Sequence, residues 1–279
     1  MERKNFFEAL EQDIMCLHKN TVSFTTQYHY HDGYEIYLFL KGDANYYIEE
    51  NCYHLKRGCL FNIRPHELHR VERFDFNSYE RITLNIRTKL LNDLSTGQTV
   101  LTRCFTNRPF GKDNIIYLNE HQINEFVFLA NNLEKVQYSK SYGHDLIAQS
   151  YLYQILIFVN NLFLKKTHED PINIMPAIVS NTMLYINEHL TEPITMTDIA
   201  NYVHHNPTYI SRCFKKVTGV PLQQYIIYKR IILAKNYLLE GYSLDDTCRL
   251  SGFNDYSNFA RTFKKQIGCS PKQYQKQPF

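Results

Sequence analysis

Tryptophan is absent from this 279-residue chain, and its seven cysteines include no Cys-x-x-C pair. The cysteines, at positions 16, 52, 59, 104, 213, 248 and 269, are also odd in number. That pattern argues against a disulfide framework and against a zinc ribbon, and favours reduced thiols in a cytosol. Long apolar runs are missing too. Ile155–Val159 is as long as any and holds five residues, against the roughly 20 that cross a bilayer. Met1–Lys19 alternates charged and apolar residues and lacks the apolar centre of a signal peptide. There is no glycine-rich phosphate loop, and no acid/base pair accompanies a nucleophile, so the sequence gives no reason to expect an enzyme. A soluble, cytoplasmic protein that touches no membrane is expected.

What is present fits a globular protein with a real core: 44% apolar and 21% charged residues, with 22 Tyr and 18 Phe. The length suits one large domain or two ordinary ones. The net charge of +3 is unevenly spread. Residues 1–175 carry 19 Lys+Arg against 21 Asp+Glu, and residues 176–279 carry 12 against 7. A basic module joined to a slightly acidic one suggests nucleic acid at one end only.

From Val22 to about Ile86 the chain reads as short β-rich runs broken by turn residues. Tyr34–Leu40, then Lys41-Gly42-Asp43, then Ala44–Glu49 are examples. Such spacing predicts an antiparallel sandwich or small barrel. From His121 the period becomes helical: Ile123, Phe126, Val127, Ala130 and Leu133 recur at helix spacing, and so do Ile147, Tyr151, Ile155, Val159 and Leu162. A polar, Pro-punctuated linker is placed at residues 167–175, between a domain at 1–166 and a helical domain at 176–279.

The helical domain contains an internal repeat. Ile210–Tyr225 aligns with Phe259–Tyr274 at an offset of 49 residues, with Arg, Phe, Lys, Lys, Gly, Gln and Tyr identical. Upstream, Thr195-x-x-Asp198 and Ser243-x-x-Asp246 read as two capping boxes. Each copy is therefore helix, short turn, helix. In the first, Met196–His204 turns at His205-Asn206 with Ile199, Ala200 and Val203 inward. Asn206 is the N-cap and Pro207 the first helical residue, where its missing N–H is harmless. The second helix runs to about Thr218, burying Ile210, Cys213, Phe214 and Val217 and leaving Thr208, Ser211, Arg212 and Lys215 outward. The second copy runs Leu244–Ser251, then Asp255 to about Ile267, burying Phe259 and Phe263 and presenting Tyr256, Ser257, Ala260 and Arg261. Hydroxyls and an arginine on one exposed stripe suit base edges, and the following Lys215-Lys216 and Lys264-Lys265 suit phosphates. Between the copies, Pro221–Leu239 is one amphipathic helix spanning roughly 30 Å, close to the roughly 34 Å between successive major-groove segments. The competing reading is a helical repeat that binds protein.

At these residues the chain resembles the AraC family of transcription regulators. The motifs are Asp198-Ile-Ala200, Arg212-x-Phe-Lys-Lys, Arg230-x3-Ala234, Leu238-Leu239, Gly252-Phe253-x-Asp255-x-Ser257-x-Phe259-x-Arg261-x-Phe-Lys-Lys and Ser270-Pro271-x3-Tyr274. The resemblance covers about 176–279 and implies base contacts at Thr208, Ser211, Arg212, Tyr256, Ser257, Ala260 and Arg261. Thr247-Cys248 departs from the Ile-Ala usual in the family, and Ala260 and Thr208 are small for base readers.

The N-terminal half contains His29-x-His31-x3-Glu35-x6-Gly42, then Gly58-x6-Pro65-x3-His69. On a strand, residues two apart share a face, so His29 and His31, with Glu35 and His69 from neighbouring strands, compose a three-His, one-carboxylate candidate for a divalent metal. The spacing is similar to that of the cupin barrel, though Pro65-His66-Glu67 lacks the usual glycine. Three readings stay open: an effector pocket of His29, His31, Glu35, Tyr37, Tyr47 and His69 with no cofactor; a metal site at His29, His31, Glu35 and His69; or a barrel wall in a domain that mainly dimerises. A tyrosine-rich wall makes a sugar the first choice of effector.

The expected protein is thus an α+β multidomain chain. A cupin-like antiparallel β-barrel with two following helices precedes an all-α domain of two helix-turn-helix units on a long helix. The expected partners are double-stranded DNA, a small-molecule effector and a second copy of the chain, with RNA polymerase as a further partner. The alternative is a metal-dependent cupin enzyme carrying a DNA-binding module.

Overall fold

The structure, a computed structural model, describes residues 7–21, 28–74, 78–166 and 172–276. The chain divides into two compact units. One takes the described residues of Glu8–Thr26 and Tyr30–Ile174. The other takes those of Met175–Phe279 with those of Met1–Phe7 and Gln27–His29.

The first unit is two antiparallel sheets with helices on one outer side. Its elements are β1 (Ile14–Thr21), β2 (Gly33–Lys41), β3 (Ala44–Ile48), β4 (Asn51–His54), β5 (Cys59–Ile63), β6 (His69–Arg73), β7 (Tyr79–Arg87), α1 (Thr88–Leu94), α2 (Arg103–Thr106), β8 (Ile115–Tyr117), α3 (Glu120–Gln137) and α4 (His144–Lys165). One sheet has the order β1-β7-β2-β5-β8, the other β4-β3-β6.

Strand β2 shows why the sequence folds this way. Tyr34, Ile36, Leu38 and Leu40 belong to a core shared with α3 and α4. Tyr37 and Phe39, of opposite parity, join Ala44, Tyr46 and Ile48 of β3 in a second core between the sheets. Both faces are buried, so the strand reads as a continuous apolar run rather than an alternating one. Glu35 has the parity of Tyr37 and so lies on the inner face, paired across the ladder with Asn85 on one side and Ile63 on the other.

Several elements differ from the sequence reading. Strand β1 precedes the anticipated β-region. Its His18, Lys19 and Asn20 are weak strand formers, and eight paired positions along β7 hold it. His18 also reaches Asn131 of α3 (2.8 Å) and Glu80 of β7 (2.9 Å). The start of that region at Val22 lies outside the described residues. The short α1, α2 and β8 carry too few residues to show a period. The buried stripe of α4 is Ala148, Leu152, Ile155, Leu156, Val159 and Asn160, with Ile147 outside it. Although its apolar runs are short, α4 is long and apolar enough to cross a membrane. Here its inward residues lie in the core with α3 and the large sheet, the packing of a core helix. Of the proposed linker, residues 167–171 lie outside the described residues. Asn173 and Ile174 bond to the backbone of Cys52 on β4 and belong to the first unit.

The second unit is helical: α5 (Ala177–Glu188), α6 (Met196–Val203), α7 (Pro207–Thr218), α8 (Leu222–Leu239), α9 (Leu244–Leu250), α10 (Tyr256–Ile267) and α11 (Pro271–Gln275). Helix α8 is buried round much of its girth, at Leu222, Tyr225, Ile226, Tyr228, Ile231, Ile232, Ala234, Lys235 and Leu238. At 1.5 Å per residue its 18 residues span about 27 Å. Its C-terminal half shares a core with Cys248, Phe253, Phe259, Phe263 and Tyr274. Arg230 of α8 donates to the carbonyls of Leu190 (3.0 Å) and Glu192 (2.6 Å), tying the loop before α6 to the long helix. Gly252 lies against the same loop at φ +82°, where an added Cβ would sit 2.6 Å from the Leu190 oxygen. Only glycine accommodates both the angle and the approach.

Candidate functional site

Helix α7 starts where Asn206 accepts the Thr208 N–H (2.9 Å) and Pro207 takes the first position. It ends at Gly219, at φ +75°. Ile210, Phe214 and Thr218 are buried, while Cys213 and Val217 are only half-buried. The opposite face carries exposed Thr208 and Arg212 and half-buried Ser211. The Arg212 guanidinium lies 5.5 Å from the centre of the Tyr209 ring. Helix α10 repeats the plan. Asp255 is its N-cap rather than its first helical residue, accepting the Asn258 N–H (2.6 Å). Phe259 and Phe263 are buried, and Tyr256, Ser257 and Arg261 are exposed with Ala260 half-buried beside them.

The lysines Lys215, Lys216, Lys264 and Lys265 are exposed in the last turns of the two helices. Among the described residues, none of these four or of Arg212 and Arg261 is paired with a carboxylate. The acidic caps sit on the preceding helices instead. Thr195 and Asp198 close a reciprocal capping box, and the hydrogen bonds from Thr195 hold the Asp198 pKa below its ordinary value. In the second copy the box is half made. Ser243 accepts the Asp246 N–H, but the Asp246 carboxylate takes the Ser243 hydroxyl (2.8 Å) and Arg249 (3.1 Å).

The other candidate site lies between the sheets of the first unit. His31, Glu35 and His69 are 3%, 6% and 1% exposed, and one ligand atom from each lies within 4.8 Å of the others. His31 Nε2 is 2.9 Å and His69 Nε2 3.6 Å from the same Glu35 oxygen. Burial opposes charge on Glu35, yet its hydrogen bonds with His31 and His69 outweigh it and hold the carboxyl well below its ordinary pKa. Burial likewise opposes charge on His69, and the Glu35 carboxylate outweighs it, raising the imidazole pKa. Tyr37 meets Tyr79 through their hydroxyls. Burial pushes the Tyr37 phenol well above its ordinary pKa.

Of the residues assigned to this pocket from sequence, His29 falls outside the three-residue cluster and Tyr47 faces the other way. His29 is not in the cluster: Tyr30 and His29 form isolated bridges and β2 begins only at Gly33, so strand alternation does not couple His29 to His31. The candidate ligand set is therefore two histidines and a carboxylate. Tyr47 points away from the interior, because Tyr46 and Ile48 supply the inner face of β3. Its hydroxyl donates to Glu72 (2.6 Å), and Arg70 lies over its ring. Tyr46 takes the inner place. Its hydroxyl donates to Glu35 (3.5 Å), and its ring stacks with His69 (centroids 6.2 Å apart). The parity of Ala44 and Ile48 was the available signal.

A barrel whose inner face gathers buried polar groups, joined to a helical unit presenting two matched helices, defines a ligand-sensing, DNA-binding transcription regulator. The sequence profile of the AraC-like ligand binding domain matches residues 11–156, and that of a helix-turn-helix domain matches 199–277. The chain belongs to the AraC family. It is 21% identical over 281 residues to YfiF, an uncharacterized HTH-type transcriptional regulator of Bacillus subtilis, covering 94% of this chain and 87% of the relative. It is 37% identical over 94 residues to another such regulator of that organism, YobQ, covering 33% of this chain and 39% of YobQ. Against YtdP of the same organism it spans only 13% of the relative's length. Among solved structures, unsaturated-fatty-acid-bound ToxT from Vibrio cholerae aligns over 98% of this chain and 97% of its own, with 16% identity and a TM-score of 0.40.

Proposed function

We propose that α7 and α10 read base edges in two adjacent major-groove segments on one face of the duplex. In this reading Thr208, Ser211, Arg212, Tyr256, Ser257, Ala260 and Arg261 face the bases. Lys215, Lys216, Lys264 and Lys265 face phosphates. The observation that carries it is that both helices expose the same stripe, arginine included, with no carboxylate neutralising it among the described residues. Support also comes from α8, whose length of about 27 Å approaches the roughly 34 Å repeat of the groove. Hydroxyl-radical footprinting on the DNA upstream of the protein's own gene tests it. Two protected stretches about one helical turn apart per bound chain are expected; a single stretch, or none, overturns the reading.

The barrel interior is the site of a small polar effector, with His31, Glu35, Tyr37, Tyr46 and His69 as its polar groups and a sugar as first candidate. Effector binding shifts the population of a DNA-competent arrangement rather than supplying a catalytic step. A carbohydrate panel scored by thermal shift and by DNA affinity tests this part.

The chain acts as a homodimer in the cytoplasm, with RNA polymerase as the machinery it influences. Between Asp145 and Lys165, α4 carries no charged residue, and Leu146, Ile157 and Leu164 stand exposed on it, with Phe128 exposed on α3. An uncharged helical face of this kind suits a second copy of itself. Sedimentation of wild type against Ile157→Asp reads the outcome: a dimer converted to a monomer is expected, and an unchanged mass contradicts it.

A further inference from the structure

We propose that Tyr209 is a positioning residue for base recognition: its ring holds the Arg212 guanidinium in place before DNA arrives, so the two helix-turn-helix units read their bases with unequal strictness. The inference rests on the reading of α7 as a base-reading helix. Residues three apart on a helix are surface neighbours, and helical side chains lean toward the N-terminus, so each covers the turn before its own. Arg212 therefore lies back over Tyr209. Its Cζ stands 5.5 Å from the centre of that ring, within the about 6 Å at which a cation is drawn to an aromatic face. On its other side Tyr209 meets the ring of His205, with centroids 5.6 Å apart. His205 is itself anchored in the turn, where its N–H donates to the carbonyl of Ala200 (3.2 Å). Turn, ring and guanidinium thus form one continuous row of contacts along α7.

A ring suits this task better than a carboxylate. A carboxylate would occupy the guanidinium N–H groups, which are the donors that meet a guanine edge, whereas a ring face takes none of them. A long arginine gives up rotamer freedom when it docks, and a group already held in place gives up less. Tyr209 is 43% exposed, so replacing it leaves the core of the unit intact. The second copy lacks the device. At the offset of 49 residues, Asn258 stands where Tyr209 does, and Asn254 where His205 does. The Asn258 side chain meets the Thr262 hydroxyl (3.4 Å), and the exposed aromatic of α10, Tyr256, packs edge-on against Phe259 (6.0 Å). Among the described residues no ring lies under Arg261. Arg212 is the preset reader and Arg261 the adaptable one.

The experiment uses the full chain and begins without DNA. In protein labelled at arginine, proton NMR should show the Arg212 side-chain resonances displaced upfield from those of Arg261 by the ring current, a displacement lost in Tyr209→Leu. Arg212→Ala and Arg261→Ala assign the two signals. Absence of the displacement in wild type overturns the proposal. On the duplex upstream of the protein's own gene, Tyr209→Leu should weaken binding about 2–5-fold, the size of an exposed cation–ring contact. It should also blunt the preference at the base pair that Arg212→Ala relaxes. Tyr209→Phe keeps the ring and should bind as wild type. Adding Tyr209→Leu to Arg212→Ala should change nothing further, because both remove the same contact. A Tyr209→Leu loss that persists without Arg212 overturns the proposal, since the ring then touches DNA itself. Tyr209→Leu binding as wild type while Arg212→Ala is impaired overturns it too, and leaves the base-reading assignment standing. If Arg212→Ala is itself silent, that assignment fails and this inference falls with it.

Discussion

The guanidinium of Arg108 meets the carboxylate of Glu67 in a two-pronged ion pair, with both N–O contacts 2.7 Å and both side chains essentially inaccessible to solvent. The same carboxylate accepts the Gly111 N–H (2.7 Å), the Asn114 amide (3.0 Å) and the Arg64 N–H (3.0 Å), while Arg108 also donates to the Asn62 carbonyl (2.8 Å). The network fastens the segment between α2 and β8 to the turn that leads into β6 and His69. Removing one partner strands a buried charge, so Arg108→Met is expected to cost about 3–5 kcal/mol in denaturant unfolding. The double variant Arg108→Met/Glu67→Met should not recover the loss, because the Gly111 and Arg64 N–H groups and the Asn114 amide then lose their acceptor. A single variant as stable as wild type would show that the pair does not hold this region.

The pair also gives a pH dependence. Burial alone would raise the Glu67 pKa, but Arg108 outweighs it and the net shift is downward. A carboxyl held below its unfolded pKa, about 4.3 for Glu, adds stability above that pH and loses it as pH falls through the folded value. The acid limb of a stability–pH curve should therefore flatten in Glu67→Gln. An unchanged limb contradicts this.

The thiols should divide into two sets. Burial pushes Cys16 and Cys52 up to about 12 and Cys59 up to about 11, and raises Cys104 and Cys248 as well. Only Cys213 and Cys269 are half-exposed. Since the thiolate is the reactive form, a thiol-specific chromophore should label two cysteines rapidly in the native protein and all seven after unfolding. Rapid native labelling of Cys16 or Cys104 would contradict the packing of the large sheet against its helices.

Thr247 is fully buried on α9, and its hydroxyl has no hydrogen-bond partner among the described residues. Valine keeps the shape and removes the stranded polar atom. Thr247→Val is expected to stabilise the chain by about 1 kcal/mol, read as a higher denaturation midpoint. A loss of that size would mean the hydroxyl has found a partner.

The helical unit was nearly all legible in sequence, because its signals are local. Asn206-Pro207 and the period of Ile210, Phe214, Phe259 and Phe263 each fix a cap or a face within a few residues, whereas α11, with its cap at Ser270, is a helix the sequence reading does not anticipate. The departures there are small: Asp255 is the cap rather than the first turn, Cys213 and Val217 are half-buried, and the second capping box is half made. The barrel was legible as strands but not as an interior. The parity of Ala44 and Ile48 points to Tyr46 rather than Tyr47 as the tyrosine that faces Glu35, a signal that gains its meaning only once β3 pairs with β6. The two-residue rule that groups His29 with His31 holds only inside a strand, and β2 begins at Gly33. The network of Glu67, Arg108 and Asn114 joins residues about 40–50 apart, and no local pattern announces it.

Phosphate contacts make a prediction independent of base recognition. Lys264→Ala should weaken binding to specific and random DNA alike and reduce the slope of log K against log salt by about 0.9. An unchanged slope rules out that contact.

The most direct test measures Arg212→Ala and Arg261→Ala on a mapped operator and on random duplex at one fixed salt concentration. Each substitution should cost about 1–3 kcal/mol on the operator and relax its sequence preference, while affinity for random duplex falls much less. Equal losses on both duplexes, or none on either, would contradict the assignment of α7 and α10 as the helices that read the bases.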